Sequence, residues 1–76
     1  MTAQADLFAT AKPPKPGTQA DRVLSILKGA PSGLARWHFY EQCRTAGVLN
    51  PRARVSDLRD RGYVIEGGFA YRLVEP

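Results

Sequence analysis

The sequence predicts a small α+β domain in which three helices are followed by a C-terminal β-hairpin. Three segments with apolar residues at helical spacing occupy residues 18–62. A pair of glycines then separates two short runs of alternating apolar residues, a pattern typical of a hairpin. With 76 residues and 43% hydrophobic content, the chain can form one small core. We therefore expect one folded domain over residues 18–76, preceded by a disordered N-terminal arm and linker over residues 1–17.

The first helix is expected to begin after Thr18, whose hydroxyl has the chemistry of an N-cap. Asp21 in the first turn and Lys28 in the last turn complement the helix dipole. The apolar stripe has the spacing i, i+3, i+4 and consists of Val23, Ile26 and Leu27. Gly29 is predicted to end this helix in a left-handed conformation.

The second helix is predicted from Arg36 to Thr45, after a turn at residues 30–33 and a very short strand at Leu34. One side of it carries Phe39, Tyr40, Cys43 and Ala46. Trp37 and Arg44 fall on the opposite side. Two interpretations of Trp37 stay open: it is exposed and contacts a partner, or the predicted helix phase is wrong near its start and Trp37 belongs to the core. The core interpretation is slightly favoured.

The third helix carries most of the charge and is expected to begin at an Asn50 cap, with Pro51 in its first turn. Its core side consists of Pro51, Val55, Leu58 and Gly62, the last of which is predicted to end the helix. Four arginines flank the other side, namely Arg52, Arg54, Arg59 and Arg61. That side also carries Asp57, which can pair with Arg54 and Arg61. A solvated helix with internal ion pairs is therefore one interpretation of this segment.

The register of the hairpin follows from the burial pattern. A two-residue loop at residues 67–68 would mix apolar and polar side chains on both faces of the strands. A three-residue loop at residues 66–68 pairs Ile65 with Phe69 and places Arg72 on the outer face. The inner face then consists of Tyr63, Ile65, Phe69, Tyr71 and Leu73. The sequence therefore predicts a short three-residue loop with a glycine at positive φ.

The predicted order of helix, short strand, helix, helix, strand, wing and strand resembles the winged helix-turn-helix family. Within it, residues 53–65 are similar to a small helix-turn-helix family common in phages and prophages. In that family an Arg-aliphatic-x-x-Leu-Arg core leads into Gly-Tyr-x-Ile, which here corresponds to residues 54–59 and 62–65. The resemblance implies binding of double-stranded DNA through the third helix. It also implies a phage- or prophage-type transcription regulator, or an accessory to DNA replication or recombination.

Helix-turn-helix proteins contact bases mainly with the first residues of the recognition helix. The candidate DNA contacts here are Asn50, Arg52 and Ser56, of which Arg52 has the chemistry for a bidentate contact to guanine. Arg54 and Arg59 occupy the positions that match the family. Each is either a DNA contact or a structural residue that packs its stem and bonds a carbonyl group, and Arg59 is the less secure of the two.

Three further residues are candidate contacts to DNA phosphates: Trp37 and Arg44 on the second helix, and Arg72 on the wing. For Arg72, an ordinary exposed strand residue is an equally good interpretation. A homodimer on a two-fold site is attractive for so short a domain. The net charge of +4 suits a polyanionic partner without requiring one.

The N-terminal residues 4–8 indicate a second functional hypothesis. Gln4, Leu7 and Phe8 resemble the short peptide by which bacterial polymerases and repair proteins dock on the sliding clamp, although Ala5 replaces the leucine often found there. The proline-rich residues 12–17 are expected to be an extended, mobile linker that would tether such a peptide. The alternative is a disordered tail whose Leu7–Phe8 pair packs loosely on the domain. A protein-interaction module that docks on the clamp is thus the second functional hypothesis.

Several classes of function are not expected. One histidine, His38, and one cysteine, Cys43, cannot form a zinc site unaided. None of the three serines has the surroundings of a catalytic nucleophile. We therefore expect neither an enzyme nor a cofactor. The sequence contains no apolar run long enough to span a membrane and no signal peptide, so we expect a cytoplasmic protein.

Overall fold

The computed structural model describes residues 11–74 and contains the predicted elements in the predicted order. The helices are α1 (Gln19–Lys28), α2 (Arg36–Thr45) and α3 (Pro51–Asp60). The strands are β1 (Leu34–Ala35), β2 (Ile65–Glu66) and β3 (Ala70–Leu73). The α+β fold and the short first strand are thus confirmed.

Helix α1 begins as predicted and ends differently. The Thr18 hydroxyl accepts a hydrogen bond from the Asp21 N–H at 3.3 Å, so it is the N-cap. Gly29 has φ −75° and ψ −5°, which is right-handed, and the prediction of a left-handed stop is wrong. The Gly29 N–H still bonds to the Ser25 carbonyl at 3.0 Å, and Pro31 cannot continue the helix. A short turn therefore ends α1 without a C-cap residue at positive φ.

Helix α3 has the two ends that the sequence predicts. Asn50 adopts φ 53°, and its side-chain oxygen accepts a hydrogen bond from the Ala53 N–H at 3.4 Å. Pro51 occupies the first turn, where its missing N–H costs nothing. Gly62 has φ +105° just beyond the helix, a conformation that side chains with a Cβ rarely adopt. These two positions fix where α3 starts and stops.

The core lies where α1 packs against α2 and α3. Its fully buried side chains are Phe39, Leu27, Leu58, Val23, Val55 and Cys43. The side of α2 that was predicted to be apolar does face this core. Trp37 lies opposite and is 69% exposed, so the favoured interpretation of Trp37 as a core residue is wrong and the predicted helix phase is right.

The three strands form one sheet in the order β1-β3-β2, with both pairings antiparallel. Ile65 pairs with Leu73 and Glu66 with Arg72, so the predicted pairing of Ile65 with Phe69 is wrong. Phe69 is 95% exposed at the end of a longer loop. Alternation could not distinguish the two registers, because a shift by an even number of residues leaves every paired side chain on the same face.

Residues 11–15 contact the domain. The Lys12 N–H donates to the Arg61 carbonyl at 2.8 Å, and the Arg61 guanidinium approaches the Lys12 and Pro13 carbonyls at 3.4 and 3.3 Å. Ala11 and Pro14 are buried, and Ala11 lies against Gly62. These contacts satisfy backbone groups at the end of α3, and the mobility of the linker stays a prediction. The division of the chain near Gly17 stays a prediction.

Candidate nucleic-acid interface

A groove lies between one side of α3, the start of α2 and the loop that joins β2 to β3. We call it the basic groove. Its polar side chains come from Arg36, Tyr40, Asn50, Arg52, Ser56, Arg59 and Tyr71, and its loop side is formed by Gly67 and Gly68. Among the described residues that line it, three are arginines and none is an aspartate or glutamate. The groove therefore presents positive charge and hydrogen-bond donors that no lining carboxylate neutralises.

Two tyrosines from different elements meet in this groove. The hydroxyls of Tyr40 and Tyr71 are 3.2 Å apart, and either can be the donor. Burial raises the pKa of Tyr71 and its hydrogen bond with Tyr40 raises it further, while the positive charges of Arg52 and Arg36 act in the opposite direction. The Tyr71 hydroxyl is thus neutral at physiological pH, and one of the two hydroxyls accepts the bond between them. Since one of them accepts, its own proton is free to donate to an anionic oxygen.

The described fold and this groove agree with the family comparison. A family model for the winged helix-turn-helix domain matches residues 18–68, which is more than half of the chain. The chain belongs to the winged helix-turn-helix domain family. No curated protein and no solved structure matches it. In the terms of this fold, α3 is the recognition helix and the β2–β3 hairpin is the wing.

Three of the predicted contact residues meet at the start of the recognition helix. Asn50, Arg52 and Ser56 all line the basic groove and are exposed. The Asn50 side-chain oxygen is used in capping, which leaves its amide N–H groups free for a ligand. Arg52 and Ser56 are four residues apart on one face of α3. This cluster has the chemistry to contact base edges and phosphates.

Arg59 and Arg54 differ in their surroundings. Arg59 donates from Nε and Nη2 to the Ile65 carbonyl at 3.1 and 2.7 Å, which is the structural alternative that the sequence left open. Arg59 also lines the basic groove. Arg54 Nε lies 3.2 Å from the Asp57 carboxylate, an ion pair whose geometry is not that of a hydrogen bond. Arg54 is not among the groove residues, and the predicted pairing of Asp57 with Arg61 is replaced by the contacts of Arg61 with residues 12 and 13.

Arg72 is engaged within the wing. Its Nε lies 2.9 Å from the Glu66 carboxylate across the strand pair, and both side chains are about half exposed. A surface pair of this kind contributes about 0–1 kcal/mol and can be exchanged for another partner. Arg72 is therefore available to a phosphate only in competition with Glu66.

Trp37 and Arg44 lie in a second depression, on the outer side of α2. It borders the basic groove, since Arg36 and Arg52 line both. Trp37 stacks on His38 with ring centroids 5.2 Å apart, and Leu49 beside it is 73% exposed. This depression also contains Glu41, so it is less basic and more apolar than the groove.

Sequence reasoning missed three residues of the groove: Arg36, Tyr40 and Tyr71. Arg36 was considered only as the first residue of a helix, and the tyrosines only as core-facing residues. A tyrosine on an apolar face has a hydroxyl that needs a hydrogen-bond partner at the edge of the core. This requirement was the signal that could have placed the two tyrosines beside a polar site. Arg36 could not be assigned because its position depends on the β1–β3 pairing.

The remaining candidate residues add no second site. Burial raises the pKa of the Cys43 thiol to about 11, so it is neutral at physiological pH. Within residues 11–74 there is no cluster of three or more histidine, cysteine, aspartate or glutamate side chains suited to a metal ion. In the same stretch no helix is long and apolar enough to cross a bilayer. Gln4, Leu7 and Phe8 lie outside the described residues.

Proposed function

We propose that this chain binds double-stranded DNA, with the recognition helix α3 in the major groove. The observation that carries the proposal is the basic groove, in which three arginines and two tyrosyl hydroxyls stand without a lining carboxylate. A polyanion gains binding affinity on such a surface, both through direct hydrogen bonds and through the release of counterions. A protein partner would require complementary acidic side chains at the same spacing.

The groove residues divide into two groups by the chemistry each offers. Arg52, Asn50 and Ser56, at the start of α3, are suited to base edges, because an α-helix fits the major groove and its first residues reach deepest. Arg36 with the Tyr40–Tyr71 pair is suited to a phosphate, since a guanidinium and a free hydroxyl proton can bond one phosphate group together. Trp37, Arg44 and Arg72 extend this surface as further phosphate contacts.

The two aspartates of α3 do not oppose this arrangement. Asp57 is paired with Arg54, and neither Asp57 nor Asp60 lines the basic groove. The side of the helix that carries the aspartates therefore differs from the side that lines the groove. We propose that the side of α3 that lines the groove, from Arg52 to Arg59, faces the DNA.

The biological role proposed on this basis is that of a phage- or prophage-type transcription regulator, or of an accessory to replication or recombination. It rests on the motif at residues 54–65. A homodimer would allow two recognition helices to read half-sites one helical turn apart. The proposed role is thus binding rather than catalysis.

The test is a titration of the full chain into labelled random duplex DNA, followed by fluorescence anisotropy at several salt concentrations. The slope of log K against log[salt] should be roughly −0.9 per phosphate neutralised. Arg36→Ala, which removes a proposed phosphate contact, should weaken binding and make the slope shallower by about one phosphate equivalent. Lys28→Ala is the matched control, because it removes one positive charge from α1, away from the groove. If both variants weakened binding equally, the binding would depend on net charge alone and not on the groove. No binding at low salt would overturn the proposal.

A second function is a protein-interaction module that docks on a bacterial sliding clamp. Trp37 and Leu49 favour an interaction role, because they are 69% and 73% exposed and line one depression. Gln4, Leu7 and Phe8 supply the resemblance to a clamp-binding peptide. Capture of the full chain on immobilised clamp should be lost in the Leu7→Ala/Phe8→Ala variant and kept in Arg52→Ala. Capture that depends on Arg52 instead, or no capture, would contradict clamp docking.

A further inference from the structure

Phe69 is the most exposed large hydrophobic side chain among the described residues, at 95%. Tyr71 and Leu73, on the strand that follows it, are buried, so the sheet does not lack apolar residues to cover its core face. An aromatic ring at the end of a loop adds nothing to the core. Its position calls for an explanation outside the folding of the domain.

The backbone that carries this ring is fixed. The Phe69 carbonyl accepts a hydrogen bond from the Arg36 N–H at 2.8 Å, and the next residue, Ala70, pairs with Ala35 of β1. The wing tip, residues 67–70, is thereby anchored to the start of α2. The ring is presented from a defined position, which reduces the entropy lost when it binds.

The wing tip is also thin and uncharged. Its other members are Gly67, Gly68 and Ala70, so Phe69 carries its only bulky side chain. The nearest charged residues along the chain on either side of the tip are Glu66 and Arg72, which pair with each other. Such a tip cannot add affinity through counterion release. What it offers is one apolar ring on a backbone narrow enough for the minor groove, which is about 6 Å wide.

Gly67 and Gly68 line the basic groove, so the ring stands at the edge of the surface that is proposed to face DNA. We propose that Phe69 is an apolar wedge that enters the minor groove beside the recognition site and partly unstacks one base step. This inference rests on the proposed function and adds to it the shape of the bound DNA. Insertion of an apolar side chain kinks the duplex, so the preferred site should contain a flexible pyrimidine–purine step.

The experiment uses the full chain and two end-labelled duplexes that differ only in a central segment, a run of TA steps or a stiff A-tract. Anisotropy gives the affinity, and energy transfer between the ends gives the bend. The unaltered chain should prefer and bend the TA duplex. Phe69→Ala should weaken binding to the TA duplex by roughly tenfold, lose most of the bend and bind both duplexes alike. Phe69→Leu should retain part of each effect, since leucine also serves as a wedge.

Val64→Ala is the matched control, because Val64 is an exposed apolar residue that lies just before β2 and away from the tip. It should leave affinity and bend unchanged, and thermal melting should be the same for all variants. If the unaltered chain binds duplex and Phe69→Ala binds and bends it equally, the wedge is overturned and DNA binding stands. A Phe69→Ala loss that is equal on both duplexes, or tighter binding to single strands, also overturns the wedge. If the unaltered chain binds no duplex, both proposals fail.

Discussion

The guanidinium of Arg59 donates two hydrogen bonds to the carbonyl of Ile65, from Nε at 3.1 Å and from Nη2 at 2.7 Å. These bonds join the last turn of the recognition helix to the first residue of the wing strand. Gly67 lies against the same guanidinium: a Cβ there would be 3.2 Å from Arg59 Nη2. The Arg59 side chain therefore helps to hold the angle between helix and wing.

Arg59→Ala should destabilise the domain by about 2 kcal/mol, because hydrogen bonds from a charged donor are lost and a partly buried carbonyl is left unpaired. Arg59→Lys should recover part of this loss, since an ammonium group cannot donate in the same bidentate manner. Urea unfolding followed by circular dichroism measures both values. Arg44→Ala, at an exposed arginine of α2, should change stability by less than about 0.5 kcal/mol. Equal stability of Arg59→Ala and the unaltered chain would contradict the structural role.

Asn50→Asp separates the capping role of Asn50 from its role in the groove. Aspartate keeps the cap and tolerates the left-handed conformation, and its charge suits a helix N-terminus, so stability should stay equal or rise by about 0.5 kcal/mol. The new charge faces the basic groove and replaces two N–H donors, so DNA affinity should fall at least roughly tenfold. Anisotropy and thermal melting on one preparation test the two effects. Asn50→Gly, which keeps φ and adds no charge, should weaken binding less. An unchanged affinity of Asn50→Asp would exclude Asn50 from the interface.

Removal of residues 1–14 should cost more stability than removal of residues 1–10. The difference between the two variants isolates the buried Ala11 and Pro14 and the bond from the Lys12 N–H to the Arg61 carbonyl. A backbone hydrogen bond and two small apolar contacts predict a difference of about 1–2 kcal/mol. Thermal melting at matched concentration measures it. Identical melting of the two variants would show that this stretch does not hold to the domain in solution.

Cys43 predicts a pH dependence of stability. Its pKa is raised by burial from 9.0 to about 11 in the folded chain, so the folded state holds the thiol proton more tightly than the unfolded state. The resulting stability is fully present below pH 9 and is lost as the pH rises towards 11, by up to about 2–3 kcal/mol. Cys43→Ala is less stable at neutral pH, because it leaves a small cavity, but should lack this part of the decline. Parallel curves for the two proteins between pH 8 and 11, measured by urea unfolding, would contradict the assignment.

The sequence predicted α1 and α3 well because both have local signals at their ends. The Thr18 and Asn50 caps, Pro51 and Gly62 act within one turn, and each lies where the structure has a helix end. The hairpin register depended instead on β1, which pairs with the end of the wing from more than thirty residues earlier in the chain. The alternation of apolar and polar residues carries no information about such a distant contact. Phe69 was assigned wrongly to the inner face of the hairpin for this reason.

The candidate site was predictable to the extent that it lies on one helix. Arg52 and Ser56 follow from the spacing on α3, whereas Arg36 and the Tyr40–Tyr71 pair come together only through the sheet. The pair of hydrogen bonds from Arg59 to the Ile65 carbonyl is one of the two roles that the sequence left open for this residue. The choice between them depends on where the wing strand passes, which local sequence does not specify.

The strand in the middle of the sheet is the last of the three to be synthesised. β3 pairs with β1 through its first residues and with β2 through its later ones, so neither outer strand has a partner before residues 70–73 emerge. During translation the helices can form early, but the sheet cannot close until the ribosome has released this segment. A fragment that stops at residue 68 covers the whole family match and still lacks the strand that holds the wing. The sheet therefore extends beyond the residues that the family model recognises.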